Sequence, residues 1–233
     1  MRIRVKICGI KRLEDARIAW ASGADAVGMI FSAGSPRCIE EPVAARIGSE
    51  APPFVSRVGV FVDPTVGEVH RVLKQVPLDL IQFHGSEPPE FCASFGLPFI
   101  KAVPVEQETD LAAVSACYAQ ARGLLLDARV GGSGKTFDWS LWPRQSSLPL
   151  LLAGGLSSGN IARAIESTAF NPPWALDVSS GVEHDSMQAE PIEGKHTPGD
   201  LPDCCARGNE TGVKDPMKIA AFMKEVSRIN EFQ

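Results

Sequence analysis

The chain has 233 residues, of which 44% are apolar and 22% charged, and a formal net charge of −5 at neutral pH. That balance suits a folded protein with a sizeable core and excludes disorder of the whole chain. The acid excess argues against nucleic acid as a partner, because such surfaces need surplus Lys and Arg to neutralise phosphates. Any anionic ligand must therefore be gripped locally.

No apolar run approaches the ~20 residues needed to span a bilayer, and the N-terminus carries no signal-peptide pattern. The expectation is a cytoplasmic protein without a membrane partner. Six cysteines (Cys8, Cys38, Cys92, Cys117, Cys204 and Cys205) show neither a CxxC pair nor zinc-ligand spacing, so free thiols and no metal site are expected.

Short apolar runs alternate with helical patterns along the chain. VKIC reads as the first strand, and RLEDARIAWASG sets Leu13, Ala16 and Trp20 at helical spacing before a glycine stop. AVGMIF precedes a helix near PVAARIGSE. RVGVFV precedes PTVGEVHRVLKQV, where Pro64 marks a helix start and Val66, Val69 and Leu73 share a face. The series continues with LIQFHG and PPEFCASFG, FIKAV and DLAAVSACYAQA, LLLDAR and a short helix from DWSLW, LPLLLAGG and SSGNIARAIES, then ALDVSSG and DPMKIAAFMKEVSRI. Eight strands alternating with eight helices predict an α/β fold, a single (β/α)8 TIM barrel over residues 1–233. A doubly wound open sheet would want a GxGxxG fingerprint after its first strand, and the turn after VKIC has none.

In such a barrel the reactive groups gather at the C-terminal ends of the strands, and the loops after strands seven and eight commonly hold phosphate. Gly154 and Gly155 follow the seventh strand; Ser179, Ser180 and Gly181 follow the eighth. Small residues there let backbone N–H groups approach a phosphate, with two tight turns as the plainer reading. Cys8 ends the first strand and shares a face with Lys6, whose ammonium would favour the thiolate; a small buried core residue is the alternative. Asp127 ends the sixth strand after three leucines, an apolar setting in which it can act as an acid, unless it is a helix cap or one half of an ion pair. A thiol base and a carboxyl acid facing each other across a phosphate-holding mouth suit a proton-moving isomerase of a sugar phosphate.

Three further stretches border the same mouth. Arg37, in SAGSPRCI, can hold a carboxylate bidentately or stand as a solvated surface arginine. His84, in QFHG, is a ligand contact or a satisfied structural histidine. GGSGKTFDW, residues 131–139, reads as a mobile active-site loop anchored by Phe137 and Trp139. It lacks the first glycine that an ATP-binding P-loop requires.

Taken in order, KICGI, GADAVGMIF, SPR, RVGVFV, QFHG, GGSGKTFDW, AGGL and DVSSGVE resemble the phosphoribosylanthranilate isomerase family of tryptophan biosynthesis. The match runs from Lys6 to about Glu183 and resumes at KDPMKIAAFM. The resemblance implies a cofactor-free Amadori rearrangement of N-(5-phosphoribosyl)anthranilate to 1-(2-carboxyphenylamino)-1-deoxyribulose 5-phosphate, with no metal. It implies that Asp127 protonates the furanose ring oxygen and that Cys8 removes the proton from sugar C2. Arg37 would face the anthranilate carboxylate, the glycine and serine loops would grip the phosphate, and Asp177 would help orient the substrate. One departure is the polar, Pro- and Gly-rich stretch 184–213 before the last helix, read as a flexible insert with a lid over the mouth as the alternative. A monomer and a homodimer both remain open. The rival readings are another sugar-phosphate isomerase or lyase on the same barrel, and a phosphate-binding barrel without turnover.

Overall fold

Parallel strands buried on both faces need a closed ring or two covering layers of helices, and here they close. The computed structural model describes residues 2–128, 136–185 and 212–231. Its strands are β1 (Arg4–Cys8), β2 (Ala26–Ile30), β3 (Ser56–Phe61), β4 (Leu80–Phe83), β5 (Phe99–Pro104), β6 (Leu124–Asp127), β7 (Leu150–Leu152) and β8 (Ala175–Val178). Each pairs in parallel with its sequence neighbours, and β1 also pairs with β8, so no strand edge is left open.

Strand alternation divides the core in two. Outward residues such as Val5, Ile7, Val27, Phe83, Leu126 and Leu176 pack beneath the surrounding helices, whereas Ile100, Ala102, Leu125, Leu151 and Ala153 fill the barrel interior. Lys6 and Cys8 also point inward, facing β2 at Gly28. A Cβ on Gly28 would stand 2.8 Å from Cys8 Sγ and 2.9 Å from Lys6 Nζ. The missing side chain thus makes room for two reactive ones.

Among the described residues the helices are α1 (Leu13–Ala21), α2 (Glu41–Glu50), α3 (Val66–Gln75), α4 (Pro89–Cys92), α5 (Leu111–Cys117), α6 (Ile161–Ser167) and α7 (Pro216–Glu231). The eighth helix expected after β6 is instead a single 3-10 turn, Trp139–Leu141. Asp138 caps it through Ser140 N–H, and Pro143 lacks the N–H needed to continue an α-helix. In α3, Thr65 and Glu68 form a capping box, but Val66 is exposed; Val69 and Val72 make the buried face. None of these helices is long and apolar enough to cross a membrane.

Behind the strands, an ion pair fixes the loop after β4. Lys101 Nζ stands 3.2 Å from Glu87 Oε2 and donates to the Gly85 carbonyl, while Glu87 accepts from the N–H groups of Asp63 and Gly85. The stretch 184–213 lies outside the described residues except at its two ends. There Glu183 and Lys214 form an antiparallel bridge, extended by His184 N–H to the Val213 carbonyl and Asp215 N–H to the Val182 carbonyl.

Candidate active site

The strand order brings two reactive groups to one end of the barrel. Cys8 closes β1, and Asp127 closes β6, with β7 and β8 between them round the ring. Both side chains are buried.

Cys8 lies among charges. Lys6 Nζ sits 2.7 Å from Asp177 Oδ1, an ion pair inside the barrel with both side chains less than a tenth exposed. Burial alone would lower the Lys6 ammonium, but attraction to Asp177 and to Cys8 outweighs it and holds Lys6 firmly charged. The Cys8 thiol is affected in the opposite sense. Burial pushes it above its ordinary value and Asp177 adds to that, while Lys6 and Lys214 pull it back only in part. The expectation that Lys6 favours the thiolate is correct for its own contribution, but desolvation outweighs it.

Among the described residues, Asp127 has no lysine or arginine ion-pair partner. Its Oδ1 accepts the Ala128 N–H at 2.7 Å, and its Oδ2 is 3.3 Å from His84 Nε2. On its other side the ring is met by Gln82, whose Nε2 stands 3.0 Å from His84 Nδ1. His84 thus stands beside the Asp127 carboxyl, steadied by the Glu87–Lys101 pair beneath its loop. Gly154 completes the surround with φ +84°, and a Cβ there would lie 2.8 Å from Asp127 Oδ1.

The two loops expected to hold phosphate lie side by side. Gly154 and Gly155 both adopt positive φ, a conformation glycine takes without strain. Ser180, Gly181 and Val182 form a 3-10 turn directly after Ser179. Gly181 packs against the Leu156 carbonyl so closely that any side chain would collide with it.

Arg37 is buried, not solvated. Its Nε and Nη2 donate to Glu183 Oε1 and Oε2 at 2.6 and 2.9 Å, a bidentate pair. Lys214 Nζ reaches the same Glu183 Oε1 at 2.8 Å and the Ser179 carbonyl at 3.2 Å. Burial would raise the Glu183 carboxyl, but Arg37 and Lys214 together bring it down to about 2. Glu183 and Lys214 were not singled out from the sequence; their clearest signal was the acid ending DVSSGVE beside a serine-rich loop.

Phe137 and Trp139, expected to anchor the loop after β6, are buried, and Arg163 lies over the Trp139 ring. The loop itself falls mostly in 129–135, outside the described residues. A surface hollow of about 390 Å³ around Pro52, Phe54 and Asp79 lies at the opposite, N-terminal end of the strands, remote from this chemistry.

Comparison with known proteins gives this arrangement a family. The family model described as N-(5'phosphoribosyl)anthranilate (PRA) isomerase matches residues 5–190. The N-(5'-phosphoribosyl)anthranilate isomerase of Nitrosospira multiformis is 46% identical over 230 residues, covering 97% of each chain. A crystal structure of phosphoribosyl anthranilate isomerase in complex with reduced 1-(o-carboxyphenylamino)-1-deoxyribulose 5-phosphate superposes with a TM-score of 0.75 at 38% identity, over 97% of this chain and 99% of that one. Mutationally generated monomers of the dimeric enzyme from Thermotoga maritima superpose with the same score at 36% identity and the same coverage. A match of this extent, on a closed eight-stranded barrel with Cys8 and Asp127 at its mouth, places the chain in the phosphoribosylanthranilate isomerase family.

Proposed function

We propose that this chain carries out its family's reaction, isomerising N-(5'-phosphoribosyl)anthranilate in tryptophan biosynthesis, with Asp127 as acid and Cys8 as base. The observation that carries the proposal is the family match together with a thiol and a carboxyl at the ends of β1 and β6.

In this reading Asp127 gives its proton to the furanose ring oxygen. The C1–O bond breaks as the anilino nitrogen donates its lone pair, leaving an open-chain Schiff base. Cys8 then removes the proton from C2, the electrons run back to nitrogen, and the enolamine tautomerises to the ketose. The nitrogen is the electron sink. The Ala128 N–H and the His84 ring fix the Asp127 carboxyl in place for its role as acid. Lys6 and Lys214 partly offset the burial that disfavours the Cys8 thiolate.

Arg37 would face the anthranilate carboxylate, with its Nη1 edge turned away from Glu183. Gly154, Gly155, Ser179, Ser180 and Gly181 would hold the phosphate, as their paired loops and small side chains support. Asp177 serves the site by holding Lys6, and His84 by holding Asp127. We read residues 1–233 as one domain. A thiol base needs a reducing compartment, which supports the cytoplasm; Cys8, Cys92 and Cys117 are free thiols. The dimeric relative from Thermotoga maritima makes a homodimer the state to test by sedimentation.

The test of function is the fluorescence of freshly made phosphoribosylanthranilate mixed with purified protein. Rapid loss with wild type and none with Cys8→Ala is the expected result. Equal loss with both would remove Cys8 from the base role, and no loss with either would leave a barrel that binds without turnover.

A further inference from the structure

We propose that Glu183 is the positioning residue that aims Arg37 at the carboxylate on the substrate's aromatic ring, with Lys214 as the counter-cation that lets Glu183 stay ionised under cover. The inference rests on the assignment of that carboxylate to Arg37.

An arginine side chain has many rotamers, and a guanidinium that reads one carboxylate at the right angle must be held before the ligand arrives. Arg37 is held along its whole length. Its stem passes Gly9, where a Cβ would stand 2.7 Å from Arg37 Cδ, and Gly212, where one would stand 3.2 Å from Arg37 Cγ. Both glycines have positive φ, +74° and +90°, so larger residues are disfavoured there by conformation as well as by space. At the tip, the bidentate bond to Glu183 consumes Nε and one hydrogen of Nη2. Among the described residues nothing bonds to Nη1. The fork therefore presents its other edge, Nη1 with the second Nη2 hydrogen, which is the edge a second carboxylate can take bidentately.

The pairing points the same way. Arg37 and Lys214 share one carboxylate, Glu183, while Lys6 is paired with Asp177. Arg37 thus keeps an edge for a second carboxylate, which a ligand can supply. The substrate's phosphate is a second anion, so the test must separate the two.

Calorimetry with reduced 1-(o-carboxyphenylamino)-1-deoxyribulose 5-phosphate and with its anilino counterpart, which keeps the phosphate and lacks the carboxyl, does so. Wild type should bind the carboxylated analogue about 10- to 100-fold more tightly, the range for a hydrogen-bonded charge pair. In Glu183→Gln this gap should shrink to a few-fold, with the anilino analogue changed by less than about threefold. A gap of wild-type size in the variant, or equal losses for both analogues, would overturn the proposal. Equal binding of both analogues by wild type would instead remove the carboxylate from Arg37, and the inference with it. If the amide variant does not fold, Glu183→Asp keeps the charge that Lys214 needs but draws the acid back by one methylene. The same narrowing is expected there, and an unchanged gap would again overturn the proposal.

Discussion

Around Cys8 stand three cations and two carboxylates, linked as Lys6–Asp177 and as Arg37–Glu183–Lys214. Around Asp127 stand a backbone N–H, a histidine steadied by a glutamine, and a glycine. The proposed base thus sits in a charged lattice whose members need one another to remain buried, whereas the proposed acid has no lysine or arginine partner among the described residues. A base that must be ionised gains from cations close by. An acid that must be protonated gains from having none. The two sides should therefore respond differently to mutation even though both are proposed to serve turnover.

The largest effect tests what they share. Cys8→Ala and Asp127→Asn should each reduce kcat by about 10²–10⁴-fold, the usual worth of a positioned acid or base, as read by the fluorescence assay. Near-wild-type turnover in either would end the comparison on that side. Next comes the difference in stability. Lys6→Met leaves Asp177 without its partner inside the barrel and should cost about 3–5 kcal/mol in urea denaturation, while Asp127→Asn should cost about 1 kcal/mol or less. Equal costs would show that the charged lattice is no more interdependent than the surroundings of Asp127. Gly154→Ala forces a side chain into positive φ against Asp127 Oδ1, and should cost about 1–3 kcal/mol along with about tenfold in kcat.

Acid titration gives the smallest effect. The Glu183 carboxyl is lowered from 4.5 to about 2 in the fold, so its contribution to stability is complete above pH 4.5 and fades as pH falls towards 2. Glu183→Gln should flatten the stability curve across that window, and an unchanged slope would show that the carboxyl is not held as described. In the alkaline direction, the raised Cys8 thiol predicts kcat/KM still climbing as pH passes 9.0. A plateau reached near pH 7 would mean that the ligand-free surroundings do not set its ionisation.

Much of this was readable in the chain because a barrel of βα units writes its plan locally. Each strand is a short apolar run, and the residue that ends it is at the mouth by construction, so Cys8, Asp127 and the loops after β7 and β8 could be placed from the sequence. Partnerships between loops were not readable. Arg37 and Glu183 are 146 positions apart and Glu183 and Lys214 31 apart across a polar stretch, and no periodicity connects such pairs. The net state of the Cys8 thiol was hidden for a related reason. The sequence showed a lysine two residues away, but not the depth of burial that outweighs it. The exposure of Val66 and the replacement of a helix by the turn Trp139–Leu141 were local matters, decided by capping and by Pro143.

The bridge between Glu183 and Lys214 joins two parts of the chain that lie 31 positions apart. Backbone and ionic bonds clamp them together at the barrel's rim. Because Glu183 also holds Arg37 and Lys214 also reaches the Ser179 carbonyl, a substitution at either side of the clamp should disturb the arginine and the serine loop together.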